Sequence, residues 1–377
     1  MFRRIYEIFK KEMIEQRRDK WARFRLIVPP IIQMLVFGYA ATFEVFDVST
    51  VVLDMDHTQE SREFVADFTA SGRFSLVKVA DSQADVLAAI DRGEAAISVV
   101  IQPGFAELLR KGGGAPVQVA ADGTNSNTAL IALGYVGQIA ARFSQRYAKD
   151  FLSRTSGGLA MRQAAVTLEE RPWYNEDKNS RWFFVPGVIG TLTLTLIVNL
   201  TAFAIVRERE VGTLEQIMVT PITPAEFILG KTLPFFIIGL GEVALVTAVG
   251  MLWFQVPFNG NPLLMLAGTS LFLLSTLALG LLISTICTTQ QQAFATNFFV
   301  VNPLFTLSGF SFPIASMPHV LQWFSYINPL RYFLIVLRAS FLKGVGFSVL
   351  WPDLAALAAL GAILLTASVL RFRKTLD

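Results

Sequence analysis

Long apolar runs separated by short polar clusters dominate the hydrophobic pattern of this 377-residue chain. A helix needs about 20 consecutive apolar residues to cross a hydrocarbon core of roughly 30 Å. Breaker clusters at Pro257 to Pro262 and at Thr288 to Gln292 divide the longest run into separate segments. The pattern therefore predicts six transmembrane helices: Leu26 to Phe43, Phe183 to Val206, Thr232 to Phe254, Pro262 to Cys287, Ala293 to Phe310 and Leu354 to Leu370.

The segment 313–346 departs from this pattern, because three prolines interrupt it and the basic residues Arg331, Arg338 and Lys343 polarise it. Such a segment predicts a re-entrant or interfacial helix pair at the outer side, which the membrane tolerates where protein covers the backbone. Arg331 and Arg338 are candidates for a functional role, although anchoring at the outer headgroups is the favoured interpretation.

Residues 45–181 show a different pattern, in which short β-branched runs alternate with helical ones. The strand-like runs are Val48 to Leu53, Phe74 to Val79, Ala96 to Ile101 and Val117 to Ala120. This alternation is typical of βαβ units. It predicts an extracytoplasmic α/β domain inserted between transmembrane helices 1 (residues 26–44) and 2, with the remaining helices in residues 182–377.

Composition supports the same division. The whole chain is 53% hydrophobic and only 16% charged, whereas soluble domains have about 25% charged residues. Residues 45–181 hold 14 Lys+Arg and 17 Asp+Glu, an ordinary soluble composition, but residues 243–330 hold no charged residue at all. A water-soluble enzyme is therefore excluded.

The distribution of basic residues predicts the orientation. Nine Lys+Arg fall within residues 1–25, and further groups follow the second and the last predicted span. Cytoplasmic loops carry such an excess. Both termini are therefore predicted to be cytoplasmic. The net charge of the chain is +3, and no segment is basic enough to predict nucleic-acid binding.

Residues 1–25 also have an amphipathic pattern. One apolar stripe is formed by Phe2, Ile5, Tyr6, Phe9 and Met13, and basic residues occupy the other faces. The pattern predicts a helix that lies along the cytoplasmic leaflet and binds membrane lipid. A plain basic flank would explain the charges but not the stripe.

Candidates for catalysis and metal binding are few. Asp54, Asp56 and His57 lie close together, but this spacing fits a turn with a helix N-cap better than a metal site. The chain has two histidines and one cysteine, Cys287, so neither a zinc site nor a Ser/His/Asp triad is expected. Gly230 and Lys231 lack the glycine and the preceding strand of a phosphate-binding loop. No cofactor, metal or nucleotide is expected in this chain.

The cytoplasmic loop 207–231 is the most polar part of the membrane half. It begins with Arg207-Glu208-Arg209-Glu210, and Gly212-Thr213 follows. Alternating charges at a helix end can pair with a neighbouring protein. On composition alone, a partner surface and a solvated loop remain equally good interpretations.

Motifs throughout the chain resemble those of a permease subunit of an ABC transporter, in the type-2 exporter family. In the outer block they are Asp122 to Ala129, Arg171 and Trp173-Tyr174-Asn175. In the membrane half they are Phe184 to Gly187, Arg207 to Gln216, Thr220-Pro221, Gly230-Lys231, Ser308-Gly309-Phe310, Pro313, Ser316 to Pro318, Asn328-Pro329, Tyr332-Phe333 and Phe341 to Gly344. One departure is Glu176, where relatives usually have proline.

This resemblance implies a function and a set of partners. The chain would be the membrane-spanning permease of an exporter for drug-like, lipidic or other amphipathic substrates, in the bacterial inner membrane. It would pair with a second copy or a paralogue, bind a separate ABC ATP-binding subunit that carries ATP-Mg, and meet a periplasmic adaptor and an outer-membrane channel. The implied coupling residues are Arg207, Glu208, Arg209, Glu210, Gly212, Thr213, Glu215 and Gln216.

Glu242 is the one ionisable residue deep within a predicted span. Burial of its charge costs roughly 3 kcal/mol on insertion scales, so the side chain is expected to face the bundle interior. It could bind a cationic substrate, relay a proton or pair with a partner chain, or it could simply hydrogen-bond as a neutral acid.

A second function belongs to another class. The chain could be a membrane-anchored sensor or assembly protein, whose outer domain binds a ligand and whose helices only relay the signal. Association with an ATP-binding subunit would distinguish the two.

Overall fold

The fold was obtained as a computed structural model, which describes residues 2–40, 47–111, 114–155, 179–213 and 222–374. The chain separates into two compact units. The larger unit comprises Met1–Thr42 and Arg171–Asp377, and the smaller unit comprises Phe43–Glu170. Of the motifs named above, Arg171, Trp173-Tyr174-Asn175 and Thr220-Pro221 lie outside the described residues, as do Glu215 and Gln216.

Two helices begin the larger unit, α1 (Phe2–Arg18) and α2 (Lys20–Ala40). Ile5 and Phe9 of α1 are half-buried, while Phe2 and Tyr6 are 84% and 58% exposed. The outward apolar stripe is therefore narrower than the sequence predicts, because part of the helix packs on protein.

The smaller unit has a four-stranded sheet in the order β2-β1-β3-β4. Its strands are β1 (Val48–Asp54), β2 (Phe74–Val79), β3 (Ile97–Ile101) and β4 (Val117–Ala121). The first three are parallel, and β4 is antiparallel to β3. β1 and β3 are central strands buried on both faces, which explains their continuous apolar sequences.

Four helices accompany this sheet: α3 (Gln59–Ala70), α4 (Gln83–Asp91), α5 (Phe105–Arg110) and α6 (Ser126–Thr155). Phe64 and Phe68 of α3 pack with Phe105 of α5 and Phe143 of α6 in one core. A second core lies at α4 and contains Val86, Ala89 and residues of β1 and β3. These two cores account for most of the buried apolar area in the unit.

The rest of the larger unit is helical. Its helices are α7 (Ser180–Val211), α8 (Pro224–Leu252), α9 (Pro262–Ile286), α10 (Gln290–Thr306), α11 (His319–Ser325), α12 (Pro329–Arg338) and α13 (Phe347–Lys374), with a π-helix at Ala339–Lys343. α7 packs against α2, α8, α9, α10 and α12. It is therefore the central helix of the bundle.

Four helices of the described residues are long and apolar enough to cross a membrane: Ser180–Val211, Ala225–Leu252, Pro262–Ile286 and Phe347–Arg371. The other two predicted spans fall on α2, whose apolar part is Leu26–Tyr39, and on α10, which has 17 residues. At 1.5 Å per residue α10 measures about 25 Å. A total of six membrane crossings therefore remains a prediction.

Close approach between helices depends on a few glycines and aromatic rings. A Cβ at Gly187 would lie 2.3 Å from the Phe310 ring, so only glycine fits here. Phe272 of α9 and Phe333 of α12 stack with their ring centroids 4.1 Å apart. Packing of this kind replaces the hydrophobic effect as the main source of helix association in lipid.

The segment between α10 and α13 contains the two short helices α11 and α12. Asn328 caps α12, and its amide also donates to the Leu304 carbonyl at 2.6 Å. Two carbonyls of the π-helix accept from the turn between α8 and α9: Gly260 N–H donates to Ser340 O at 2.8 Å and Asn259 N–H donates to Phe341 O at 3.2 Å. The π-helix thereby holds this turn in place.

Candidate coupling site

The end of α7 carries the residues that the sequence assigns to coupling; we call Arg207–Thr213 the coupling segment. Gly212 ends the helix in the left-handed conformation with φ 79°, which favours glycine, and its N–H donates to the Arg209 carbonyl. Arg207 and Glu210 are exposed, and Val211 is 67% exposed. The segment therefore offers both charged and apolar groups at its surface.

Glu208 is the exception, because it is buried in a group of four charged side chains that we call the ion cluster: Glu12, Lys11, Glu208 and Lys231. The Lys231 ammonium lies 2.5 Å from Glu12 Oε1 and 2.9 Å from Glu208 Oε1. Lys11 Nζ lies 3.2 Å from the same oxygen of Glu208. The cluster therefore joins α1, α7 and α8.

Two further contacts complete the ion cluster. The Thr213 hydroxyl donates to the Glu208 carboxylate, and the Lys231 ammonium lies 3.4 Å from the Ala204 carbonyl. Partial burial lowers the pKa of Lys11, but the Glu208 charge and hydrogen bond outweigh it, so that the pKa lies above its ordinary value. Lys11 is accordingly held in its charged form.

Two further charged side chains of the segment, Arg209 and Glu210, contact residues around the α9–α10 connection. Arg209 Nη1 donates to the carbonyls of Cys287 at 2.9 Å and Ser284 at 3.3 Å, which belong to the end of α9. Glu210 accepts from the side-chain amide of Gln290 at 2.8 Å. The segment is therefore tied to α9 and α10 as well as to α1 and α8.

The start of α8 follows the capping-box pattern. Thr223 accepts from Glu226 N–H, and Glu226 accepts from Thr223 N–H at 2.9 Å. Arg4 of α1 lies 3.7 Å from the Glu226 carboxylate. A second ion pair thus joins α1 to α8.

Sequence reasoning placed Lys231 at a membrane boundary and did not identify Glu12 and Lys11 as its neighbours. The available signal was Lys231 itself, because it is the only basic residue of α8. A buried lysine is rare unless it is paired. Its partners lie far away in the sequence, on helices whose contacts with α8 the pattern does not reveal.

Glu242 lies in the interior of the bundle and is 4% exposed. Neither of its carboxyl oxygens has a hydrogen-bond partner among the described residues. The Thr193 side chain of α7 faces it, with the hydroxyl itself donating to the Ile189 carbonyl at 2.9 Å. The position of Glu242 is thus the interior one that the sequence predicts.

Arg331 and Arg338 both contact aromatic rings of the protein. Arg331 lies over Tyr326 at 4.0 Å and donates to the Ser325 hydroxyl at 2.5 Å. Arg338 lies over Phe183 of α7 at 3.9 Å, with two of its nitrogens 3.5 Å from the Gly309 carbonyl. Arg338 therefore connects α12 to the start of α7.

A groove of about 270 Å³ lies between α2, α7 and α10. Polar lining residues on α7 are Thr191, Thr195 and Asn199, which are one turn apart, and Gln33, Asn297 and Asn302 of the neighbouring helices add further amides. Asn297 of α10 donates to Asn199, while its own amide oxygen is buried without a partner among the described residues. The aromatic wall is formed by Phe37, Phe294, Phe298, Phe305 and Phe310.

A larger cavity of about 570 Å³ shares Gln33, Leu192, Thr195 and Asn199 with this groove. It extends along α1, α2 and α7 as far as the coupling segment and is lined there by charged residues, including those of the ion cluster. The two spaces are therefore adjacent beside α7; the larger one is lined by charged residues near the coupling segment, and the smaller one is rich in aromatic residues.

In the smaller unit, Asp54 and Asp56 accept hydrogen bonds from their own chain. Asp56 accepts from the N–H groups of Gly104, Phe105 and Ala106 at 2.7, 3.1 and 3.1 Å, and from the Thr58 hydroxyl at 2.6 Å. No group of three or more His, Cys, Asp or Glu in the described ranges could hold a metal ion. These carboxylates order the loops that precede α3 and α5.

Comparison with known proteins identifies the family of the chain. The pattern of the ABC-2 family of transporter proteins matches residues 20–370. The probable multidrug ABC transporter permease YbhR of Escherichia coli K12 is 32% identical over 374 residues, which cover 99% of both chains. The probable multidrug ABC transporter permease YbhS of the same strain is 31% identical over 379 residues, which cover 100% of this chain and 98% of YbhS.

A more distant relative is the ABC transporter G family member 20 of Dictyostelium discoideum, which is 22% identical over 353 residues. That alignment covers 90% of this chain but only 46% of the relative. The family match includes the coupling segment, the groove helices, Arg331 and Arg338. The chain is a multi-pass membrane protein and belongs to the ABC-2 family of transporter permeases.

Proposed function

We propose that the chain is the membrane-spanning permease subunit of an ATP-driven exporter for drug-like, lipidic or other amphipathic substrates. Substrate leaves the cytoplasm or the inner leaflet, and ATP-Mg is hydrolysed on a separate ABC ATP-binding subunit. Two permease chains, either two copies or a copy and a paralogue, form the membrane part. Family membership supports the permease role and both of these partnerships.

The groove between α2, α7 and α10 is the observation that carries the substrate class. Its lining combines hydroxyl and amide groups with aromatic rings, and no ionisable side chain is among the residues that line it. Apolar pockets with a few polar groups bind amphipathic molecules, because the apolar walls give affinity and the polar groups fix orientation. The names of YbhR and YbhS, which refer to multidrug transport, agree with this class.

The coupling segment is the surface proposed to dock on the ATP-binding subunit. Arg207, Glu210 and Val211 are exposed there, and Glu215 and Gln216 belong to the same docking sequence. Charged groups around an apolar contact give an interface its specificity. Contacts of this segment with α1, α8, α9 and α10 would carry its displacement into the bundle.

The basic residues of α1 and of the coupling segment support an orientation with both termini in the cytoplasm of a bacterium and the chain in its inner membrane. The smaller unit then lies in the periplasm, where it would bind an adaptor protein that leads to an outer-membrane channel. In this arrangement α11 and α12 form the outer re-entrant pair. Exposed Trp323 and Phe324 of α11, and Ile327 just after this helix, suit the membrane interface.

The decisive experiment is reconstitution of the chain with its cognate ATP-binding subunit in proteoliposomes. Acriflavine and N-phenylnaphthylamine serve as a cationic and a neutral amphipathic probe. We expect ATP-dependent movement of at least one dye, and hydrolysis that rises when the permease is present. A chain that binds no ATP-binding subunit would favour a membrane-anchored sensor or assembly protein with a ligand-binding outer unit.

A further inference from the structure

The ion cluster has an arrangement that the proposed coupling function does not by itself require. Lys231 and Glu12 are each 3% exposed, and Glu208 is 9% exposed. The four side chains carry two positive and two negative charges, which balance one another. The charges come from α1, α7 and α8, and these three helices must keep their relative positions for the charges to stay paired.

Because the cluster is buried, its charged groups tolerate little displacement from one another. Opposite charges in a medium of low dielectric constant attract strongly, but each charge loses its hydration, so that a displaced member leaves its partner unpaired in the interior. An apolar contact of the same size would tolerate sliding, whereas an ion pair at 2.5 Å between Lys231 and Glu12 does not. The cluster therefore favours a single register of α1 against α7 and α8.

Neighbouring contacts point to the same register. The missing side chain at Gly230 allows α1 to approach α8, since a Cβ there would lie 2.7 Å from Ile8 Cβ. The Thr213 hydroxyl, at the end of the coupling segment, donates to Glu208. The cluster thus includes one residue of the segment that the ATP-binding subunit would displace, Glu208, and is hydrogen-bonded to a second, Thr213.

We propose that Lys231 is a positioning residue, which locks α1 to the coupling segment so that α1, α7 and α8 move as one body when ATP is hydrolysed. The inference rests on the proposed function, since it concerns the route by which that movement enters the bundle. Lys231 acts through Glu12 and Glu208 and need not contact substrate or nucleotide.

The test uses a variant that removes the link while keeping the charges balanced. Lys231→Met alone would leave Glu12 without a counter-ion, and the loss of such a partner is strongly destabilising. In the double variant Lys231→Met with Glu12→Gln, Lys11 still neutralises Glu208. The variant chain should therefore assemble with the ATP-binding subunit in normal amounts.

We expect this double variant to hydrolyse ATP but to export about ten-fold less acriflavine or N-phenylnaphthylamine for each ATP, a size typical of coupling between two sites. The ratio of export to hydrolysis is the diagnostic measurement, because a purely structural role would change the amount of complex and leave this ratio unaltered. A matched control is Lys111→Met with Glu107→Gln, which removes an exposed Lys–Glu pair of the smaller unit and should keep the wild-type ratio.

Three outcomes are distinguishable. A wild-type ratio in the assembled double variant overturns the role of Lys231 and leaves the proposed function intact. Failure of the wild-type chain itself to bind an ATP-binding subunit or to export either dye overturns the proposed function. If the double variant does not assemble, Lys11→Met is measured instead; Lys11 is half-exposed and contacts Glu208 from α1, and an unchanged ratio in that variant counts against the inference.

Discussion

Gly230 of α8 packs directly against Ile8 of α1, and a larger residue at position 230 would collide with Ile8. A Cβ at Gly230 would lie 2.7 Å from Ile8 Cβ and 3.3 Å from the Ile5 carbonyl oxygen. We expect Gly230→Ala to push α1 away and to destabilise the protein by about 1 to 3 kcal/mol, the usual cost of overpacking. The measurement is the thermal unfolding midpoint of the full chain in detergent.

Gly241→Ala is the matched control for that experiment, because Gly241 lies on the same helix and a Cβ there meets no atom within 4 Å. Its midpoint should stay at the wild-type value or rise slightly, since alanine favours helix more than glycine does. Equal effects of the two substitutions would contradict the close packing of α1 on α8.

Asp56 should make the smaller unit sensitive to acid. The hydrogen bond from the Thr58 hydroxyl and those from the N–H groups of Gly104, Phe105 and Ala106 lower the pKa of Asp56, against a smaller opposing effect of burial. A lowered pKa stabilises the folded state above the ordinary Asp pKa of about 4, and this contribution disappears as the pH falls through the lower folded-state value.

We expect Asp56→Asn to cost about 1 to 2 kcal/mol at neutral pH, because the amide keeps only one of the two oxygens that accept from Ala106 N–H, the Thr58 hydroxyl and the other donors. Hydrogen exchange of α5 and β3 in the full chain measures the effect, and the difference from wild type should shrink near pH 3. Asp81→Asn, at an exposed position, should leave exchange unchanged at both pH values. A difference that stays constant down to pH 3 would rule out this role for the Asp56 charge.

Phe298 and Phe299 are neighbours on α10 that differ in their relation to the groove. Both are exposed, at 59% and 75%, but only Phe298 lines the groove. We expect Phe298→Ala to weaken dye export about five-fold, because loss of a ring contact costs on the order of 1 kcal/mol. Phe299→Ala should remain within about two-fold of wild type. Similar losses in both variants would argue against the groove as the substrate path.

Glu242→Gln tests the intramembrane carboxyl. Glutamine has the same shape and no charge, and neither carboxyl oxygen of Glu242 has a partner to lose among the described residues. The complex should therefore assemble normally, while export fails if transport needs this group to ionise or to bind a cation. Export of acriflavine and N-phenylnaphthylamine is measured beside the amount of purified complex. Unchanged export of both dyes would make Glu242 a structural residue.

The proposed orientation can be checked by thiol labelling. Cys287 is the single cysteine of the sequence and is buried, so Cys287→Ser gives a background without thiols. Gln102 of the smaller unit and Lys10 of α1 are both exposed. An impermeant maleimide should label Gln102→Cys in intact spheroplasts and Lys10→Cys only after the membrane is opened. The reverse pattern would invert the topology.

The sequence is sufficient to locate most secondary structure because apolar runs and β-branched runs are local signals. The run at Val48 forms β1, and the breakers before Pro262 separate α8 from α9. Boundaries shift by a few residues where caps decide them, as at Thr289, which starts α10 before the predicted Ala293. α2 and α10 are poorer membrane spans than the other four helices, because the apolar part of α2 is only Leu26–Tyr39 and α10 has only 17 residues.

Long-range pairing accounts for what the sequence could not reveal. Asp56 caps α5 and not the helix that directly follows it, where Thr58 is the cap. Lys231 is paired with Glu12 of α1, which lies far from it in the sequence. In each case the residue types were visible, but the partner is brought close only by the tertiary fold.

The π-helix at Ala339–Lys343 has a consequence for evolution of the chain. Its carbonyls hold Asn259 and Gly260, and a Cβ at Gly260 would lie 2.7 Å from the backbone of Ser340. Surface loops usually accept insertions. An insertion at this contact would disrupt both the turn between α8 and α9 and the π-helix that accepts its hydrogen bonds. The turn between α8 and α9 should therefore keep its length among relatives whose other loops vary. A change in the length of this turn should occur together with a change in the π-helix.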